Sequence, residues 1–99
     1  MDMIWTPSPN FDERTLPITI LVIHYNGMKS ADLAIRQLAN PEAKVSAHYV
    51  VCEDGQIVQM VKEEDRAWHA GRGQWRDIDN VNSASIGIEI VNPGHEWGY

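Results

Sequence analysis

Ninety-nine residues make one domain, or part of one, with room for a modest core, and 43% hydrophobic against 22% charged residues is the balance of an ordinary globular chain. Fourteen acids against eight bases leave a net charge of −6, which argues against a nucleic-acid partner because such a partner requires a cationic face. No apolar run approaches the roughly 20 residues that span a bilayer, and "MDMIWTPSPNFDERT" has no basic start followed by an apolar stretch, so no membrane span and no secretory leader are expected. The single cysteine, Cys52, cannot close an internal disulfide. These features point to the cytoplasm, with the periplasm as the alternative.

Residues 1–17 contain three prolines and read as an irregular surface arm. Thr19 to Tyr25 is a β-branched run that is apolar on both faces. Ile18, Ile20, Val22 and His24 share one side, and Leu21, Ile23 and Tyr25 share the other. Such a pattern predicts a central strand covered above and below. Asn26-Gly27 breaks it. Ser30 is placed to cap a helix, since its hydroxyl can accept from a free amide of the first turn. Ala31, Ala34, Ile35 and Leu38 then form the stripe of an amphipathic helix, which Asn40-Pro41 ends.

Val45 to Cys52 and Gln56 to Val61 flank Asp54-Gly55, a pair suited to the positive φ of a tight hairpin. "KEEDR", residues 62–66, reads as a solvated and helix-compatible connection, and residues 67–84 as a long loop. Ile86, Ile88 and Ile90 mark a last strand, with Gly87, Glu89 and Val91 opposite. A strand, a helix, a hairpin and another strand predict an α/β domain: a central mixed sheet flanked by helices. One convincing helix leaves one sheet face uncovered. Either a partner covers that face, which would include self-association through it, or the domain continues beyond Tyr99.

Two polar residues interrupt the buried runs. His24 closes the first long strand, where an imidazole is either a hydrogen-bonded structural group or a metal ligand held on a rigid element. Glu89 stands among isoleucines. A carboxylate there costs several kcal/mol to bury in ionised form, so it is paired, opens on a cleft, or faces water from an edge strand. On a cleft it would serve as a general base.

The other histidines and the cysteine carry weaker signals. His48 shares a face with Val50 and Cys52, the pattern of a satisfied core histidine. His69, in "AWHAG", either stacks and hydrogen-bonds with a sugar or peptide, or belongs to a loop that Trp68 plugs into the core. His95 reads as an exposed loop residue. Cys52 lies among valines, as expected of an inert thiol. "AGRG" follows no strand and opens no helix, so no phosphate loop is expected. There is no H-E-x-x-H pair, and a catalytic zinc needs three protein ligands. By these residues alone, His24 is the one good ligand.

Four stretches occur in a telling order: "LVIHYNGM", "KVSAHYVVCEDGQIVQMV", "RAWHAG" with "QWR", and "NSASIGIEIVNPGHE". Together they resemble the zinc-dependent N-acetylmuramoyl-L-alanine amidases, the type 2 amidase family, which also takes in peptidoglycan recognition proteins and amidase-type phage lysozymes. The likeness runs from about Ser8 to Tyr99 and is strongest to bacterial muropeptide amidases. It implies zinc in a cleft at one end of the sheet, with peptidoglycan fragments or muropeptides as substrate. Carried over, His24 corresponds to the first zinc ligand and Glu89 to the catalytic glutamate. Trp68 and His69 lie in the loop beside the substrate groove, and Tyr25, Asn26 and Asn82 near the cleft. Asn26 stands where the relatives carry threonine.

The family's second histidine ligand and its acidic third ligand come in a later segment, to which nothing here corresponds. The chain therefore reads as the N-terminal portion of an amidase domain, residues 1–99, with the remaining zinc ligands expected beyond Tyr99. The reaction implied is hydrolysis of the amide between N-acetylmuramic acid and L-alanine. Zinc would polarise the carbonyl, and Glu89 would take the proton of the attacking water. Two other readings stay open: a muropeptide-binding module without catalysis, and an inactive truncated amidase.

Overall fold

A computed structural model describes residues 3–26, 30–69 and 82–91. Seven strands and one helix follow in the order β1 (Met3–Trp5), β2 (Phe11–Glu13), β3 (Ile20–Asn26), α1 (Ala31–Leu38), β4 (Tyr49–Val51), β5 (Ile57–Gln59), β6 (Asp65–Ala67) and β7 (Ser85–Val91). Five strands form one sheet in the order β1-β5-β4-β7-β3, and β2 with β6 forms a two-stranded ribbon. The large sheet is mixed. β7 runs parallel to both β3 and β4, β4 and β5 are an antiparallel hairpin, and β1 lies parallel to β5.

The hairpin and the helix form where the local chemistry puts them. Gly55 takes φ +89° in the turn between β4 and β5, a conformation that costs glycine nothing. Ser30 caps α1 by accepting the Leu33 amide. Ala34 and Leu38 from the helix then pack with Ala47, Val50, Val58, Met60 and Val91 in the core.

Three expectations are corrected. Residues 1–17 are not an irregular arm: β1 extends the main sheet and β2 pairs with β6. Ser8 and Asn10 are buried between them. Residues 65–67 likewise form a strand rather than a solvated connection, because Arg66 pairs with Asp12 across the ribbon. The third concerns β3. Among the described residues it is the edge of the sheet, with Leu21 60% and Tyr25 63% exposed. The middle strand is β4, and β7 is the interior strand between β4 and β3. Apolar character on both faces tells which sides a strand can bury, not which neighbours it pairs with.

Register explains what this order achieves. Ile4, Val58, Val50, Glu89 and His24 are successive lateral partners across all five strands, so they lie in one row on one face. The row is apolar beneath α1 and turns polar at its far end. Leu21, Ile23 and Tyr25 of β3 lie on the opposite face, where no described helix covers them. No helix among the described residues is long and apolar enough to cross a membrane.

Candidate functional site

Strand register brings the two chemical candidates together. His24 on β3 and Glu89 on β7 are direct partners in a parallel ladder, with side chains on the same face. Both are half-buried. They border a cavity of about 290 Å³ whose wall also includes Gln37 and Leu38 from the end of α1, Ser46 and His69. Because Glu89 belongs to an interior strand, paired on both sides, the edge-strand reading of that carboxylate is excluded.

His69 is a further titratable group of the cavity, more enclosed than His24 or Glu89, at 9% exposure. The ring's Nδ1 lies 3.2 Å from His24 Nε2, and its Nε2 lies 2.7 Å from Ser85 Oγ. Burial, followed by the neighbouring cationic forms of His24, His48 and Arg14, pushes its pKa down to about 3. The ring is therefore neutral at physiological pH. Asn82 is buried behind it, and its Oδ1 accepts the His69 amide at 3.2 Å.

Trp68 turns elsewhere. Its backbone is tied to Ser46, whose amide donates to the Trp68 carbonyl and whose Oγ accepts the Trp68 amide, each at 2.9 Å. The Trp68 side chain hydrogen-bonds to Asp12 on the ribbon. So of the "AWHAG" pair, it is the imidazole rather than the indole that enters the sheet face. Tyr25 also borders the cavity, but strand alternation directs its side chain to the opposite face and leaves it largely exposed. Asn26 closes β3 opposite Val91; its side chain lies outside the described residues. So do "QWR", the "AGRG" stretch and His95.

His48 is the core histidine its pattern indicated. Fully buried, it accepts the Gly87 amide at Nδ1 (3.0 Å), which leaves the proton on Nε2 to be donated to the Asp65 carbonyl at 2.9 Å. Burial holds its pKa below the usual histidine value. Cys52 is unpaired and half-buried, and burial raises its pKa, as expected of an unreactive thiol.

Two contributors were not identified from sequence. Ser85 holds the far side of the His69 ring, and Gly87 provides the space for it: a Cβ at position 87 would stand 2.4 Å from His69 Cγ. Their signal was present in the alternation of β7, which puts Ser85, Gly87, Glu89 and Val91 on one face.

Imidazole nitrogen and carboxylate are the donor types zinc takes, and His24 has the hydrogen-bond partner that a histidine ligand requires behind its ring. Among the described residues, however, no three His, Cys, Asp or Glu side chains gather so as to hold an ion. The fit is that of one part of a ligand set.

Residues 14–99 match the family described as Amidase_2, N-acetylmuramoyl-L-alanine amidase. The chain is 38% identical over 84 residues to the N-acetylmuramoyl-L-alanine amidase AmiD of Escherichia coli, an alignment covering 78% of this chain and 29% of that protein. It is 35% identical over 104 aligned positions to the 1,6-anhydro-N-acetylmuramyl-L-alanine amidase AmpD of the same organism, covering 85% and 56%. A crystal structure of a selenomethionine AmpD derivative superposes with a TM-score of 0.70 at 29% identity, covering 91% of this chain and 61% of that one. The chain thus spans about half or less of the length of these two E. coli relatives.

Proposed function

Because the chain belongs to the N-acetylmuramoyl-L-alanine amidase family, we propose that it serves hydrolysis of the amide between N-acetylmuramic acid and L-alanine in peptidoglycan fragments. The observation that carries this reading is the lateral pairing of His24 with Glu89 at the wall of one cavity. An imidazole and a carboxylate side by side on rigid strands are what hydrolysis of an unactivated amide asks for.

In this reading His24 is one ligand of a zinc ion, and the remaining ligands come from outside the described residues. Zinc, when bound, supplies Lewis acidity toward the carbonyl and lowers the pKa of water toward about 7. Glu89 accepts the proton of the attacking water and delivers it to the departing amine of L-alanine. Its position between His24 and Val50 holds the carboxylate at the wall of the cavity. Tyr25 and Asn26 at the end of β3 are assigned to the substrate side, and Trp68, His69 and Asn82 to the wall that supports it, with His69 nearest the reacting groups.

The test is Glu89→Gln, which keeps shape and removes the base. Zinc content is expected to be unchanged, while release of L-alanine-headed peptide from a muropeptide falls at least a hundredfold, within the range of general-base contributions. Turnover equal to the parent refutes the role. Assaying ordinary and 1,6-anhydro muramyl substrates in parallel defines the preferred sugar. We infer a cytoplasmic setting, supported by the single unpaired cysteine. The exposed Leu21, Ile23 and Tyr25 support self-association through β3; sedimentation velocity over a concentration series would detect it.

A further inference from the structure

We propose that His69 is a positioning residue: it accepts the Nε2 proton of His24 and so fixes the His24 tautomer that keeps Nδ1 bare. The inference takes from the proposed function only that His24 offers a ring nitrogen to a metal.

The geometry is a three-member chain along one sheet face. His24 Nε2 and His69 Nδ1 are 3.2 Å apart, and His69 Nε2 and Ser85 Oγ are 2.7 Å apart. The two rings meet edge to face, with centroids 5.4 Å apart and planes inclined by 64°. That inclination lets an in-plane N–H of one ring address an in-plane lone pair of the other. A neutral imidazole has one donor nitrogen and one acceptor nitrogen, so the chain has two polarities. If Ser85 donates to His69, then His69 Nδ1–H donates to His24 Nε2, and the His24 proton sits on Nδ1. Both of its nitrogens are then committed and it has no lone pair for a metal. If His24 Nε2–H donates to His69 Nδ1, the His69 proton sits on Nε2 and goes to Ser85 Oγ. His24 Nδ1 is then bare. Only the second polarity is compatible with a ligand.

A second observation shows that the seat of His69 is built into the strand. A Cβ at Gly87 would lie 2.4, 2.5 and 2.9 Å from Cγ, Cδ2 and Cβ of His69, distances that no real contact tolerates. Glycine at this central position of β7 leaves a gap on the face that carries Glu89, and the ring fills it. Asn82 fixes the backbone of the same residue from behind. A side chain clamped at its amide, its ring face and both nitrogens is suited to holding a neighbour in one orientation, not to following a substrate.

The experiment is 15N NMR of histidine rings in the metal-free protein, comparing the parent with His69→Leu, His69→Asn and Gly87→Ala. The Asn carboxamide returns an acceptor near the position of Nδ1; Leu does not. His24 is expected to be Nε2-protonated in the parent, to become a mixture of tautomers in His69→Leu and Gly87→Ala, and to return to the Nε2–H form in His69→Asn. The His48 ring, bonded to Gly87 and Asp65, reports that the fold is intact. Zinc affinity, measured in parallel, should fall about ten- to a hundredfold in His69→Leu and recover in His69→Asn. A parent His24 protonated at Nδ1, or a tautomer that ignores the loss of His69, overturns the inference. A parent that holds the Nε2–H tautomer through His69 yet binds no zinc leaves the inference standing and removes the ligand role of His24 instead.

Discussion

The Asn10 carboxamide reaches three carbonyls that belong to no strand ladder: Asn40 and Val45 at 2.9 Å, and Leu38, at the end of α1, at 3.3 Å. The Asn10 side chain is 2% exposed, so its own donors are satisfied by protein. It ties a residue from the start of the chain to the C-terminal end of the helix and to the segment that lines the candidate cavity. Leu38 also accepts from the Ser8 hydroxyl and Asn40 from the Ala43 amide, so removing the carboxamide falls hardest on the Val45 carbonyl, and an acceptor left unpaired costs about 1–3 kcal/mol. Asn10→Ala is expected to lower unfolding stability by about 1–3 kcal/mol, read as a lower urea midpoint at unchanged slope. Asn10→Asp should be no better, because it replaces the donor with an oxygen that the three carbonyls repel. A change under about 0.5 kcal/mol in either variant would show that these carbonyls find other partners.

The elements that were legible are those with enough length to show a period or a specific end. α1 has its stripe and its Ser30 cap, the hairpin has Asp54-Gly55, and β3 and β7 have seven-residue patterns of branched side chains. By contrast β1, β2 and β6 are three residues each, shorter than any alternation can declare itself. Their partners lie far along the chain, so only the folded context selects them. The same division holds in the site. That His24 and Glu89 interrupt apolar runs was plain from sequence; that they fall in one lateral row depends on a parallel register that no local signal specifies. His69 was legible as a candidate, but its burial against Ser85 and Gly87 rests on packing alone. At this scale the cap offers a clean measurement. Ser30→Ala is expected to cost α1 about 1 kcal/mol, lowering Tm with no change in zinc content. The Ser30 hydroxyl lies at the helix end opposite the cavity. Loss of metal in that variant would mean that helix and site are more tightly coupled than their contacts indicate.

For the whole molecule, two opposing charge effects set the response to acid. A net charge of −6 favours folding as pH falls, because protonated carboxylates repel less. The buried imidazoles oppose it. His48 and His69 both have folded-state pKa values held below the ordinary 6.5, mainly by burial, His69 down to about 3. Above pH 6.5 each is neutral whether folded or not, and neither affects the balance. Below 6.5 the unfolded chain binds a proton at each more readily than the folded chain does, so stability must fall with pH. The slope approaches about 1.4 kcal/mol per pH unit for His69, and His48 adds to it in the same direction, against a dispersed surface effect that salt screens. The histidines win. Asp12, held below its usual range by Arg66, adds to the loss only below about pH 4. Urea unfolding of the chelator-treated protein is therefore expected to show stability dropping steadily from pH 6.5 to 4.5. His48→Gln is expected to be less stable at pH 7 but to show a shallower slope, since one of the two proton sinks is gone. A flat profile, or one that rises toward acid, would mean that the rings take up protons without unfolding and that the wall around them is wetter than its geometry implies.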